Sequence, residues 1–193
     1  MDNRVILPSD FHGEKYGLSF RLVNEDDAEF IIGLRTDPIK SKYIGITDNS
    51  VENQKKWIED YKKRERDGRD YYFIFYFGSI PAGVTRIYDI KEKKFIHGSW
   101  VFTNNVPPFC PLAAAIIARE IAYETLGLEE EVDTSGIHED NLGVLQVSKL
   151  MGVHFYGERE TENGKFMLGR LPKNVFGENK KNILKLIPNK YLK

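Results

Sequence analysis

Cysteine is almost missing from this chain. Cys110 is the single one, so no internal disulfide can form and the fold must be held by packing. That composition fits a reducing compartment such as the cytoplasm. An excess of either charge is missing too: 28 Lys and Arg stand against 29 Asp and Glu, for a net charge of −1. Nothing electrostatic therefore points to nucleic acid or an anionic membrane as the main partner. No apolar run reaches the length that spans a bilayer. The opening MDNRVILPSDF has neither the apolar centre of a signal peptide nor a basic leader. There is no internal repeat and no low-complexity stretch. What remains is 193 residues, a length suited to one domain with a sizeable core.

Aromatic and β-branched residues are plentiful, and their spacing sets out the elements. Residues 1–17 are mixed and polar and read as a loosely held N-terminal arm. Residues 18–23 alternate, with Leu18, Phe20 and Leu22 on one face, which predicts a strand. Asn24 then caps a helix with Asp26 and Asp27 in its first turn, and Pro38 ends it. Ala28, Ile31, Ile32 and Arg35 share one face of that helix. A loop over 39–49 carries Lys40, Lys42 and Tyr43. Asn49 or Ser50 caps the next helix, which runs to about Arg66 with a stripe of Gln54, Trp57, Ile58 and Tyr61. Glu52 with Lys56 and Glu59 with Lys63 are spaced as solvated i,i+4 pairs.

A three-strand meander follows over 70–77, 82–90 and 95–102, with turns at 78–81 and 91–94. Residues 112–126 are too long and too Ala-rich for a strand and read as a helix that Gly127 stops. Residues 130–137 read as a strand. Asp140 and Asn141 can cap a short helix ending at Gly152, and HFYGERETENGKFMLGRL reads as two strands joined over 162–164. The divisions are an arm at 1–17, one domain at 18–171 and a lysine-rich tail at 172–193. The tail has six lysines against one acidic residue and is weakly amphipathic through Ile183, Leu184 and Ile187. It reads as a docking or dimer-contact tail, which permits a homodimer without requiring one.

The strand–helix–strand–helix order from 95 to 153 resembles the second half of a GCN5-related N-acetyltransferase. The closest match is Asn141, Val144, Ser148, Gly152 and Val153, set against a family pattern of Asn, a small residue, Tyr, Gly and Phe at those spacings. Asn and Gly match, Val is a mild change, and Tyr and Phe are missing. A strand, two helices and a meander fit the family's first half. The resemblance implies an α/β (α+β) acyl-CoA N-acyltransferase fold: a central mixed, mostly antiparallel sheet flanked by helices. It departs at one place. The family's Arg/Gln-x-x-Gly-x-Gly/Ala loop before the long helix, whose amides hold the coenzyme A pyrophosphate, is here NNVPPFCPLAAA, with no glycine and with prolines that lack N–H groups. Leu112, Ala113 and Ala114 are expected to offer helix-start amides in its place.

The activity implied is transfer of an acetyl group from acetyl-CoA, as co-substrate, to a primary amine of a small molecule, with no metal. In the family two central strands splay and the pantetheine arm pairs with the exposed edge. On this chain those strands would be 95–102 and 130–137, with the edge at Trp100, Val101, Phe102 and Thr103, and Asn141 contacting the coenzyme. Ser148 stands where the family often has the Tyr that protonates the leaving thiolate. His138 is the first candidate base and His97 the second, since an imidazole suits proton transfer near neutrality. Each also reads as an ordinary surface, capping or helix residue. His97, Glu139 and Asp140 match no metal-ligand spacing. Cys110, between Phe109 and Pro111, reads as a buried structural thiol.

For the acceptor, Arg35, Tyr43, Arg86 and Tyr88 form a basic and aromatic set that suits an anionic, ring-bearing molecule. LRTDPIKSKYI, the Gln54 and Trp57 helix, RIYDI and GSW look similar to bacterial enzymes that acetylate nucleotide-linked amino sugars. Two alternatives stay open. One is an acetyltransferase of protein N-termini or small amines, for which an acidic groove would be expected. The other is a catalytically inactive relative serving as a binding module, for which the glycine-free loop and the absent Tyr argue.

Overall fold

The computed structural model describes residues 4–43, 45 and 47–192, so the first three residues of the arm and the last of the tail lie outside it. Eight strands form one sheet: β1 (His12–Lys15), β2 (Leu18–Leu22), β3 (Asp70–Phe77), β4 (Ile80–Lys91), β5 (Lys94–Phe102), β6 (Glu130–His138), β7 (His154–Thr161) and β8 (Gly164–Pro172). Their order is β1-β2-β3-β4-β5-β6-β8-β7. Every neighbouring pair is antiparallel except β5 with β6. The helices are α1 (Ala28–Thr36), α2 (Val51–Arg66), α3 (Phe109–Glu120), α4 (Leu142–Met151) and α5 (Lys173–Leu184). This is the mixed, mostly antiparallel sheet with flanking helices expected from the sequence.

The centre of the sheet is buried on both faces, and β3 shows why. Its residues alternate between two cores: Tyr71, Phe73 and Phe75 join one, Tyr72 and Ile74 the other. The second core is closed by Ala28, Ile31 and Leu34 of α1 and Ile58 and Tyr61 of α2. The first is closed by α3, whose residues from Leu112 to Glu120 are all buried; Ala113, Ala114, Ala115 and Ala118 let it lie close to the strands. A π-helical turn, Ile121–Thr125, continues α3 and delivers Tyr123 against Phe95, ring centroids 5.3 Å apart.

Local chemistry starts and stops these elements. Asn24 and Asp27 form a reciprocal capping box at the 3-10 turn Glu25–Asp27 that leads into α1. The Ser50 side chain caps α2. Gly152 ends α4 at φ +90°, and a Cβ there would stand 2.6 Å from the Asn179 side chain. Of the two surface pairs expected on α2, Lys56 reaches Glu52 at 3.9 Å, whereas Lys63 pairs with Asp60 at 2.7 Å.

The arm differs from the sequence reading, while the tail takes the docking alternative. The arm is tied down: His12–Lys15 adds an edge strand, and Leu7 is buried with its amide donating to the Tyr71 hydroxyl at 3.0 Å. The tail folds onto its own domain as α5, with Phe176, Ile183 and Ile187 buried in the first core. Its weak amphipathicity is thus satisfied within the chain. Glu120 fastens both ends, taking Lys15 at 2.7 Å and Lys180 at 2.8 Å.

Candidate active site

Two β-bulges create the site. Strands β5 and β6 begin as parallel partners, Lys94 opposite Glu130 and Phe95 opposite Glu131, and no further pair joins them among the described residues. On β5, Ser99 and Trp100 together face the single residue Thr85 of β4, and Ser99 sits at φ +49°. On β6, residues 134–136 face the single residue Leu168 of β8. Asp133 stabilises that second bulge: its Oδ1 accepts the amides of Ser135 at 3.0 Å and Gly136 at 2.8 Å. Gly136 is at φ +82°, and a Cβ there would lie 2.8 Å from Phe166 Cβ. The strands therefore part, and their facing edges are left open.

Where they part, a buried ion pair closes the floor. Arg119 of α3 donates from Nε and one terminal nitrogen to the two carboxylate oxygens of Glu131, each at 2.8 Å, and its other nitrogen reaches the Ala115 carbonyl at 3.2 Å. Burial pushes the Glu131 carboxyl up, and Arg119 opposes this. Above them opens a cleft of about 300 Å³. Its walls are His97, Ser99 and Trp100 of β5, Asp133 and His138 of β6, and Asn141, Val147 and Ser148 at α4; Arg35, Tyr43 and Tyr88 stand at its mouth. Burial also raises the Asp133 carboxyl, against the pull of its two amides.

A second cavity of about 340 Å³ adjoins the cleft under α2. Arg35, Thr47, Asp48, Asn53, Gln54, Trp57, Tyr72, Arg86 and Ser99 line it, so Arg35 and Ser99 belong to both spaces.

The two histidines fare differently. His138 uses both ring nitrogens: Nδ1 accepts the Asp140 amide at 3.1 Å, so Nε2 carries the proton and donates to the Asn163 carbonyl at 2.8 Å. Its ring packs on Tyr43 and Phe166, centroids 5.0 and 5.1 Å away. It is a pinned residue of the rim with no basic nitrogen to spare. His97 bonds through Nε2 to the Thr85 hydroxyl at 2.7 Å, and that hydroxyl donates to the Gly98 carbonyl at 3.3 Å. This makes Nε2 the donor and leaves the lone pair on Nδ1. Burial, aided by the Arg119 charge, holds His97 well below the usual imidazole range, so it is neutral at pH 7.

Ser148 is 5% exposed, lines the cleft, and has no hydroxyl partner among the described residues. Asn141 lines the cleft too, and its side chain makes no cap bond. Of the expected β5 edge, Trp100 lines the cleft and donates its Nε1–H to the Pro111 carbonyl at 2.9 Å. Val101 and Phe102 bury their side chains in opposite cores, and the Thr103 amide is taken by the Ala82 carbonyl at 2.8 Å.

The expectation for Leu112, Ala113 and Ala114 needs correction. The helix starts at Phe109, so their amides fall inside the helical hydrogen-bond ladder. At the true start Pro108 and Pro111 have no N–H, and the Cys110 amide goes to the Pro107 carbonyl at 2.9 Å. That leaves Phe109 as the remaining donor. Cys110 is buried, its thiol pushed up to about 11 by burial.

Among the acceptor candidates, Tyr43 reaches across to the Asp140 carbonyl at 3.1 Å. Arg35 donates to the Thr47 hydroxyl at 2.7 Å and the Gly45 carbonyl at 3.3 Å, which pins that loop. Arg86 is committed in both directions. It pairs with the buried Asp70, Nε to Oδ1 at 2.7 Å, and lies between the rings of Trp57 at 4.9 Å and Tyr88 at 4.6 Å. Tyr88 lines the cleft, its hydroxyl raised by burial.

Sequence reasoning missed Ser99, Arg119, Glu131 and Asp133. No local pattern marks a non-glycine bulge or announces that Arg119 and Glu131 will meet. Among the described residues, no group of three His, Cys, Asp or Glu is placed to hold a metal ion.

No protein-family model matches the chain, and no curated protein matches it by sequence. Solved structures do match. FdhC in its apo form, described as a nucleotide-linked sugar GNAT, superposes with TM-score 0.78 at 28% identity over 93% of this chain and 99% of its own. RimJ of Mycobacterium smegmatis, in complex with CoA-disulfide, gives 0.74 at 15% identity over 92% and 94%. A mutant of the spermidine N-acetyltransferase SpeG from Vibrio cholerae gives 0.68 at 12% over 83% and 96%; at such identities the last two speak for the fold alone. With this sheet order, one parallel pair that parts at its bulges and this set of structural relatives, the chain belongs to the GCN5-related N-acetyltransferase superfamily.

Proposed function

We propose that the protein transfers an acetyl group from acetyl-CoA to the primary amine of a small molecule, and that the acceptor is a nucleotide-linked amino sugar. The parted β5–β6 pair carries this reading: it opens a cleft against a strand edge without a β6 partner. An amide-bearing arm can complete such an edge by strand addition. The residues present fit the pantetheine arm and reactive end of the coenzyme. They do not supply the usual cluster of helix-start amides for its pyrophosphate. The similarity to FdhC supports the sugar-nucleotide acceptor.

When bound, acetyl-CoA supplies the activated acetyl thioester. The chain's residues do the rest. The β5 edge near Ser99 and Trp100 and the side chain of Asn141 orient the arm. His97 Nδ1, the ring nitrogen not spent on Thr85, takes the proton of the amine as the C–N bond forms, with its basicity reduced by burial. The Ser148 hydroxyl, buried in the wall, donates toward the departing thiolate, directly or through water. Asp133 favours an ammonium entering the cleft, because Arg119 is already neutralised by Glu131.

Thermal unfolding with acetyl-CoA, CoA and ATP tests the reading. A ligand at 100 times its dissociation constant adds about 2.7 kcal/mol, which for a chain of this length raises the melting temperature by roughly 5–11 °C. A rise with acetyl-CoA and CoA but not ATP is expected. The donor-poor start of α3 favours one other reading, a binding module without catalysis. No rise at millimolar coenzyme decides for it.

A further inference from the structure

The cavity under α2 contains polar groups that the fold itself does not use. Gln54 is only 9% exposed, yet its carboxamide has no hydrogen-bond partner among the described residues. The amide atoms are therefore open to the cavity rather than sealed in the interior, whereas its neighbours on the same helix stripe, Ile58 and Tyr61, are plain core. The Ser99 side chain opens to the same cavity from the β5 bulge, while the Tyr72 hydroxyl, on a ring buried within the second core, meets Arg35 there. The charged groups there are, by contrast, already engaged. Arg86 belongs to Asp70, Arg35 holds Thr47 and Gly45, and Asp48 accepts from Asn53. The Trp57 ring is covered as well, by Arg86 at 4.9 Å, Arg64 at 5.4 Å and a stacked Tyr61 at 5.9 Å.

We infer that this cavity seats the sugar ring of the acceptor and that Gln54 determines specificity by reading its hydroxyl groups. The inference rests on the acetyltransferase reading above. The cavity meets the cleft at Ser99 and Arg35, so the part of the acceptor lodged in it must be the part that bears the amine. Its free groups are neutral donors and acceptors, which match hydroxyls. Arg86 is neutralised by Asp70, so the one cation left without a carboxylate is Arg35, at the junction with the cleft, and with Trp57 covered the cavity offers no open face for a nucleobase. The nucleotide therefore extends out of the α2 cavity with its diphosphate toward Arg35, and the Gln54 amide gains hydrogen bonds when the ring arrives.

Calorimetric binding and steady-state acetylation should be measured with UDP- and dTDP-linked 3-amino and 4-amino hexoses, each beside an analogue lacking the hydroxyl next to the amine. The wild-type protein is expected to prefer the hydroxylated sugar by about tenfold or more, and Gln54→Met to bind it about tenfold more weakly with that preference gone. Tyr72→Phe serves as a second variant, with a smaller loss in the same direction. The acetyl-CoA thermal shift should be the same in all three proteins, so a missing shift in the wild type strikes the acetyltransferase reading and leaves the calorimetric comparison standing. Three results overturn the inference: no binding of any sugar nucleotide, unchanged affinity and preference in both variants, or a loss that follows the base and ignores the sugar hydroxyl.

Discussion

Strand β5 is zipped at one end and open at the other. At Lys94 and Phe95 it pairs with β6 over a matched interior, with Phe95 against Tyr123 and Arg119 bonded twice to Glu131. From His97 to Trp100 it faces a space whose polar groups are unmatched, among them the Ser148 hydroxyl and Nδ1 of His97. The same strand thus shows two ways to treat buried polarity. Charges that hold the fold are paired with each other. Groups at the open end are left for something else to complete, and an open strand edge is tolerated only where a ligand or another element covers it.

The zipped end can be broken most severely through its ion pair. Arg119→Met leaves Glu131 buried without a counter-charge, which should cost about 3–5 kcal/mol. The double variant Arg119→Met, Glu131→Leu removes both charges and should recover most of that loss. Urea unfolding of the three proteins decides it: a single variant no less stable than the double one would show that the pair does not hold this end together.

Little of this contrast was legible beforehand. Most of the elements were: the aromatic alternation of β3, the Ala-rich run of α3 and the glycine that ends α4 all announce their geometry locally. The cleft residues Asn141 and Ser148 come through the spacing of one helix. The bulges did not, since Ser99 is a non-glycine at positive φ, and the three-residue bulge on β6 depends on Asp133 folding back on its own chain. His138 looked the better base because it ends a strand, but its ring nitrogens are consumed by Asp140 and Asn163, contacts visible only in three dimensions. The sequence reading starts α3 three residues late because Pro107, Pro108 and Pro111 read as a break, although proline is tolerated in the first turn.

A smaller effect tests the open end. His97 is held neutral by burial, so its folded pKa lies below its unfolded value. As pH falls through about 6.5, the unfolded chain takes up a proton that the folded chain refuses. Its contribution is therefore full above that pH and lost below it, with a slope of at most about 1.4 kcal/mol per pH unit. His97→Gln keeps a partner for Thr85 and should remove this slope between about pH 6.5 and 5. If His97 also takes the amine proton, the same variant should lower kcat by about 100-fold or more with little change in coenzyme binding. An unchanged rate with an altered stability slope would leave His97 a purely structural residue.

The least expected change sharpens the comparison at the far end of the open stretch, where the loop after β5 enters α3. Coenzyme affinity there should be limited by donors, because Pro108 and Pro111 supply none and Cys110 has spent its own. Pro108→Ser adds one backbone N–H, while its hydroxyl finds no cap partner, because Pro111 has no N–H and the Cys110 amide is taken. The loss of a rigid proline makes the unfolded chain more favourable by about 0.4–1 kcal/mol. Net stability should thus fall slightly. The added donor at a helix N-terminus should tighten CoA binding by about two- to fivefold, less at high salt. Calorimetry at two ionic strengths separates the outcomes. Tighter, salt-sensitive binding means the missing donors weaken the grip on the pyrophosphate. An unchanged affinity means this helix start never faces the coenzyme, and its phosphates are held from the α4 side of the cleft.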